Sequence, residues 1–524
     1  MRRLARDVLL MAGATGASRL LGLARMAAIA SRFGASAAYD AFLIAFFVPN
    51  LLRSLLAEGA LSTAFVPVYT SLAVGDGASL PGEARLREDA NAFCSNLLTI
   101  LLFLFPITVI AGVLLAPFYV PFLASGFTTE KMALAITLTR IIFPFLALIG
   151  FAAVFMGILN AHHRFFAASI APIWFNVGML VGALAIAPLF PEQPIVGLAL
   201  GVLIGGAGQL ASQLPALRSV GFRFRFRLLP LHPSIADLGR RIAPAVLALA
   251  AAQVNLLVDN KLASHLPDGG ISALQYAMRL FQLPLGVFAV SIATALLPRL
   301  SAAHARGESW RISKNLEDGF AATALFLLPA MVGFLLIGDD VIRLLFEHGS
   351  FGAAATARTG AALSAYVLGL LPYGLVYVQS RACYALRLTV VPLVASTCAV
   401  GVNVALDLAL VGPMQEAGLA LATAIAGAVN AALLFVFLRG SFRRFRNVAA
   451  HLLRIGLGCG LLAILIWGVR QLLGTPPAWL AVAVPMLVGC AFYGVFIRFT
   501  RLRELVGGRR ESSDPDDGPA DEST

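Results

Sequence analysis

SRLLGLAR, residues 18–25, sets Arg19 and Arg25 six residues apart inside a run that is otherwise mostly apolar. That run extends from about residue 8 to residue 33, and about 20 helical residues suffice to cross the ~30 Å hydrocarbon layer of a membrane. A charge near the middle of such a segment costs at least ~2.5–3.5 kcal/mol, so each arginine needs water, a partner or a ligand. The whole chain repeats the pattern. Its 524 residues are 59% hydrophobic and only 13% charged, with a mean hydropathy of +0.86, whereas about a quarter of residues are charged in ordinary soluble domains.

Fourteen apolar stretches are expected as membrane helices: 8–33, 41–72, 93–124, 133–159, 166–189, 195–217, 239–263, 272–298, 318–338, 359–386, 389–411, 417–438, 449–470 and 477–498. The fold class this predicts is an all-α polytopic membrane protein, with no space for a soluble domain. Arginine placement sets the orientation, because cytoplasmic loops are enriched in Lys and Arg. MRRLAR, RSVGFRFRFR, PRLSAAHARGESWRISK, RGSFRRFR and RFTRLR fall on one side, while FPEQP, SHLPDGG and GPMQEAG lack both residues. An even number of spans with both termini in the cytoplasm fits this alternation. The net charge of +12 is thus mostly a topology signal, and nucleic-acid binding is the weaker reading of RFRFR. The apolar core of MRRLARDVLLMAGA is too short for a signal peptide, so an uncleaved first helix is expected. The tail from Glu504 is polar and acidic, and disorder is expected there.

STAFVPVYTSLA (62–73) and ATALLPRLSAA (293–303) both read Thr-Ala-x-x-Pro at a span end, six spans apart, which suggests a parallel repeat. Glycines and prolines inside the spans, Gly22 and Pro49 among them, are candidate bends. Cys94, Cys383, Cys398, Cys459 and Cys490 show no metal-type spacing, and packing is their expected role.

Polar residues group on particular helix faces. Gln275, Arg279 and Gln282 fall within about 60° of one another on the eighth span, and Gly286 continues the stripe. Asn50, Arg53 and Ser54 share one side of the second span. Arg19 and Arg25 stand about 120° apart on an ideal helix, so they share a cavity only if it is wide or the helix bends near Gly22. For Arg32 and Arg140, snorkelling to a helix end is as good an explanation. Of the 39 basic residues only Lys131, Lys261 and Lys314 are lysine. Genomic base composition explains most of that bias, but a guanidinium also keeps its charge when desolvated and offers a planar fork to phosphate oxygens. Several such forks in a cavity call for a phosphate or diphosphate. Asn403 with Asp407, and Asn255 with Asp259, repeat a four-residue spacing and form oxygen sets suited to Na⁺, against the plainer reading of a hydrogen-bonded helix contact.

No catalytic grouping emerges. There is no G-x-x-x-x-G-K-[ST] loop for ATP hydrolysis and no spaced set of histidines. Asp40 and Glu58 are better explained by pairing with arginines than by acid–base work.

SRLLGLAR…FGASAAYDAFLIAFFVPNLLRSLLAEGALSTAFVP (18–67) closely resembles the opening of the MurJ (MviN) family of bacterial lipid II flippases. RIIFPFLALIGFAAVFMGILNAHHRFFAASIAPIWFN (140–176) and YAMRLFQLPLGVFAVSIATALLP (276–298) resemble later family segments. The resemblance implies a lobe over 1–220, a second over 221–440, a lipid-tail groove from the last two spans over 441–503, and a free tail over 504–524. It also implies that Arg19, Arg25, Arg53 and Arg279 line a central cavity, with Asp40 and Glu58 as acidic companions, and hold the diphosphate of lipid II. Asn50, Ser54, Gln275 and Gln282 would line the same cavity. In members with a sodium site the ligands resemble Asp259, Asn403, Asp407 and Thr423. Na⁺ as coupling ion and contacts with the cell-wall synthesis machinery follow from the same resemblance, and no other cofactor is expected. Many relatives carry Asp where this chain has Met26 and Met278, so the cavity should be more cationic here. Two other functions compete: a flippase for another polyprenyl-diphosphate saccharide or an ion-coupled exporter, and a membrane glycosyltransferase using Asp339, Asp340 and Glu347. An exporter of cationic drugs would want carboxylates in the cavity, and an acidic loop is ordinarily just solvated.

Overall fold

The computed structural model describes residues 2–54, 61–74, 83–441 and 445–500, and all regular structure among them is helical. Described parts of all fourteen expected stretches are helical apart from breaks of one or two residues. Nine of these helices are long and apolar enough to cross a membrane, or ten if a pair bent by 43° counts as one span. The expected fourteen is not reached by that measure. One reason is that Val390–Ser441 counts once although it holds two expected spans, broken at Gln415, whose φ is 48°.

The chain divides into two compact units. The first, 1–276 with 345–358, contains α1 (Arg2–Phe33), α2 (Ala37–Arg53), α3 (Leu61–Val74), α4 (Glu83–Leu123), α5 (Thr129–Ile142), α6 (Phe145–Ala161), α7 (Phe165–Val181), α8 (Ile195–Ser219), α9 (Ser234–Ala263) and the start of α10 (Gly270–Pro284). Its boundary at Tyr276 falls inside the eighth expected span, whereas the lobes expected from the resemblance meet at residue 220. Small residues let α7 and α8 approach backbone to backbone: a Cβ on Gly178 or Gly182 would collide with the backbone at Gly201 or Gly205. Close packing of this kind substitutes for the hydrophobic drive that lipid does not supply. Phe65, Phe93, Cys94, Val154 and Ile158 fill a separate core among α3, α4 and α6.

The short piece 345–358 belongs to the first unit because it is stitched to the end of α1. Ser350 donates its N–H to the Ser31 carbonyl at 2.8 Å and its hydroxyl to the Arg32 carbonyl at 3.1 Å. Gly34, at φ +63°, makes the sharp exit from α1 and lies so close to Ser350 that a side chain there would collide.

The second unit, 277–344 with 359–524, contains the rest of α10, α11 (Val290–Ala305), all but the end of α12 (Ser309–Phe346), the latter part of α13 (Ala353–Leu368), α14 (Leu370–Ala385), α15 (Val390–Leu438), α16 (Phe445–Leu473) and α17 (Ala478–Phe499). Leu300, Leu316, Val378 and Leu434 form the core of α11, α12, α14 and α15. Ile455, Cys459, Leu462 and Ile466 of α16 pack on α12, and Asp340 on α12 pairs with Arg470 on α16 at 2.9 Å. Cys94, Cys383 and Cys459 are packed as expected, whereas Cys398 and Cys490 are exposed.

Candidate functional site

In the first unit α1 runs as one continuous helix past Gly22, which does not break it between Arg19 and Arg25. Arg19 is exposed and has no hydrogen-bond or ion-pair partner among the described residues. Arg25 is half-buried against α7, where its Nη1 donates to the Met179 sulfur at 3.6 Å and its guanidinium lies 5.6 Å from the Phe175 ring centroid. Asn176, one residue on, donates to the Ser18 carbonyl at 3.2 Å and ties the same two helices. Sequence reasoning missed this α7 face, although Phe175 and Asn176 end the second stretch that resembles the family. Met26, expected to leave Arg25 short of counter-charge in a cavity, is instead buried at 7% exposure. A soft sulfur and an aromatic face serve Arg25 at this point.

On α2 the expected stripe is present as a contact. Arg53 donates its Nε to Asn50 Oδ1 at 3.0 Å, and Ser54 turns its hydroxyl back to the Leu51 carbonyl at 2.8 Å. The i, i+3 spacing puts Asn50 and Arg53 on one face, and the bond holds the guanidinium in one orientation. Glu58 lies outside the described residues.

Asp40 has a different setting from the one expected. Its carboxylate is 1% exposed and pairs with no arginine among the described residues. Lys131 Nζ sits 2.8 Å from Oδ2, the Gly269 N–H donates to Oδ2 at 2.7 Å, and the Ser272 N–H and hydroxyl donate to Oδ1 at 2.8 and 2.6 Å. Lys131 also pairs with Asp268 at 2.9 Å, and Arg358 donates to the Asp268 carbonyl at 2.6 Å. A buried carboxylate with this many donors is a structural cross-link, because each donor offsets part of the desolvation of the charge. Among the described residues Arg140 reaches only the Val113 carbonyl, at 3.4 Å, and it is exposed.

In the second unit Arg279 and Gln282 are exposed on α10 and Met278 is half-buried; Gln275, half-buried, stands on the first-unit part of that helix. Arg279 has no hydrogen-bond or ion-pair partner among the described residues. Immediately beyond Pro284 the helix widens into a π turn, Leu285–Ala289, and a Cβ at Gly286 would meet open space.

Asn403 and Asp407 are both buried on α15, at 2% and 1% exposure. Neither amide atom of Asn403 has a hydrogen-bond partner among the described residues, and such a group normally costs about 1–3 kcal/mol. Thr423 donates its hydroxyl to the Leu419 carbonyl at 2.9 Å, leaving an oxygen lone pair available. Asp259, in the first unit, accepts from Asn255 at 3.0 Å. No group of three or more His, Cys, Asp or Glu suited to a metal occurs among the described residues. The acidic cluster expected in a loop instead stands on the last turns of α12, with Glu347 just beyond its end, and it is engaged: Asp340 pairs with Arg343 at 3.2 Å as well as with Arg470, and Glu347 accepts from Thr356 at 2.6 Å.

A family model described as "Lipid II flippase MurJ" matches residues 29–488. The chain is 36% identical over 464 residues to a probable lipid II flippase MurJ of Rhizobium meliloti (strain 1021), covering 87% of this chain and 84% of the relative. It is 32% identical over 515 residues to the probable lipid II flippase MurJ of Vibrio cholerae, covering 97% and 94%. Among solved structures, a lipid II flippase MurJ in an inward closed conformation matches with a TM-score of 0.79 at 28% identity, over 95% of this chain and 100% of that one. An inward-facing MATE family transporter of the MOP superfamily matches with a TM-score of 0.65 at 17% identity, over 83% and 95%, which shows the shared fold alone.

Proposed function

The chain belongs to the MurJ family of lipid II flippases, and we propose that its arginines on α1, α2 and α10 hold the lipid II diphosphate during alternating access. It is a multi-pass lipid II flippase of the bacterial inner membrane, and its transport serves cell-wall synthesis. The observation that carries the substrate role is Arg279. An exposed guanidinium without a protein partner among the described residues, on a helix stripe it shares with Gln275 and Gln282, suits an anionic ligand that the protein itself does not supply. Arg53, oriented by Asn50, adds a pre-set fork, and Arg25 and Arg19 add charge. Met26 does not belong to the clamp.

Alternating access would carry the headgroup from the inner to the outer leaflet, with both termini in the cytoplasm as the arginine-rich loops indicate. The reading includes no covalent chemistry, which agrees with the structural engagement of Asp40, Asp340 and Glu347. Release at the far leaflet makes contacts with the cell-wall synthesis machinery part of the same proposal. The buried, unpartnered amide of Asn403 beside Asp407 fits a hard cation, and we assign Na⁺ there, held by Asn403 and Asp407 with Thr423 from beyond the break at Gln415. Bound Na⁺ would neutralise buried oxygen ligands and favour whichever conformation holds them together. Depleting an endogenous lipid II flippase and supplying this chain tests the reading: growth should be restored by the parent, lost with Arg53→Ala or Arg279→Ala at normal membrane levels, and partly regained with Lys at either position. Full growth with either alanine variant would remove that residue from the clamp. Rescue of a strain blocked in another polyprenyl-linked saccharide, and not of this one, would favour the competing substrate.

A further inference from the structure

Between α8 and α9 the chain runs without helix or strand through GFRFRFRLLPLH, residues 221–232. Its backbone is held by polar side chains of α4 that are themselves buried: Ser95, Asn96 and Thr99 are at most 2% exposed. The Arg225 N–H donates to Ser95 Oγ at 3.2 Å and the Arg227 N–H to Thr99 Oγ1 at 3.1 Å. Asn96 donates to the Arg227 carbonyl at 2.8 Å and accepts from the His232 N–H at 3.0 Å. Three buried groups thus fix the strap along the helix.

What the strap presents is unusual for a loop. Arg223, Arg225 and Arg227 are exposed and have no acidic partner among the described residues. Between and after them Phe224, Phe226, Leu228, Leu229 and Leu231 are exposed as well, Phe226 at 60% and Leu229 at 76%. A solvated loop has no reason to display this much apolar surface beside its charges.

Helix α4 gives the depth. Its exposed large apolar residues begin at Leu102 and Phe103 and end at Phe122, a length of about 20 residues or ~30 Å, which is one hydrocarbon thickness. Phe226 packs edge-on against Phe103 at a centroid distance of 6.2 Å. Ser95 to Thr99 lie roughly 6–12 Å further along the axis than Phe103, at the level of lipid headgroups. The strap therefore runs along the membrane boundary, with aromatic rings at the edge of the acyl layer and guanidinium groups at the height of the phosphates.

We propose that residues 222–231 form a docking strap for anionic phospholipid headgroups, fixed in place by Ser95, Asn96 and Thr99. The occupant is the bilayer surface itself: three unpaired arginines match its negative charge, and Phe224, Phe226 and the three leucines match its apolar edge. Its assignment to the cytoplasmic leaflet rests on the topology proposed above. That premise is tested separately by labelling an Arg223→Cys variant with an impermeant thiol reagent in right-side-out and inverted vesicles, where reaction only in the inverted ones is expected.

The full chain is reconstituted in phosphatidylethanolamine bilayers containing a minority of phosphatidylglycerol, then stripped gradually with detergent, and the phosphatidylglycerol retained per protein is counted by native mass spectrometry. The parent should retain it, with retention falling as salt rises. R223Q/R225Q/R227Q should lose it, by about five-fold in affinity per arginine, while R299Q/R306Q/R439Q, which removes three exposed arginines elsewhere, should not. F224S/F226S should weaken retention with all charges kept. Equal retention by the strap variant and the parent, equal loss in the control triple, salt-independent retention by the parent, or displacement of the lipid by matched free inorganic phosphate would each overturn the proposal.

Discussion

Two polar groups sunk in the helices end in opposite conditions. Around Asp40 the chain supplies a lysine, a serine hydroxyl and two backbone N–H groups, and both carboxylate oxygens are engaged. Around Asn403 it leaves an amide with neither atom bonded among the described residues, one helical turn from a buried carboxylate. Burial alone therefore does not mark a binding site. A closed network fixes one geometry, whereas an open polar atom at the same burial is left for something the protein does not contain.

The contrast can be broken most severely at the closed end. Asp40→Ala leaves Lys131 buried with the exposed Asp268 as its remaining acidic partner among the described residues and the Phe127 ring beneath it, and should cost about 3–5 kcal/mol. Protein level and detergent melting temperature should both fall sharply, and adding Lys131→Met should recover part of the loss. If the single variant melts like the parent, the network is not a cross-link.

Placing a carboxylate where no donors wait comes next. Met26→Asp puts an acid into a packed position, and a loss of at least ~2 kcal/mol, seen as poor accumulation, is expected. Normal accumulation together with labelling of Met26→Cys by an impermeant reagent would return Met26 to a cavity. At the open end the change should be small: Asn403→Leu removes an unsatisfied amide, so stability without sodium should shift by no more than about 1 kcal/mol. The parent should melt higher in Na⁺ than in K⁺, and the variant should lose that difference. Indifference of the parent to Na⁺ makes the site structural. Arg279→Ala should alter stability least, within about 0.5 kcal/mol, because an exposed group without a partner holds nothing in place. The same change should still stop complementation, separating function from folding at one residue.

The closed network and the clamp also differ in how far they can be read along the chain. Arg53 with Asn50, and Asn255 with Asp259, are pairs within one helix turn, so the 3.6-residue period is enough to place them together. Asp40 meets Lys131 across 91 residues and Ser272 across 232, distances over which no local rule operates. Arg25 shows the same limit: its spacing from Arg19 was legible, but its shelter beneath Phe175 and Met179 was not. Lys131 could have been suspected from being one of three lysines in an arginine-rich chain, though nothing local linked it to an aspartate.

The sequence by itself determined the all-helical membrane class, the stripes on α2 and α10, the basic loops and the family, because each depends on hydropathy and periodicity along a continuous segment. Only the tertiary structure decided that Asp40 is a cross-link, that Met26 is packed, and that RFRFR lies pinned against Ser95, Asn96 and Thr99. Those outcomes depend on which distant helix supplies a donor or covers a face. That choice is made by packing whole helices so that each buried polar group finds a partner, and the period of a single helix holds no record of it.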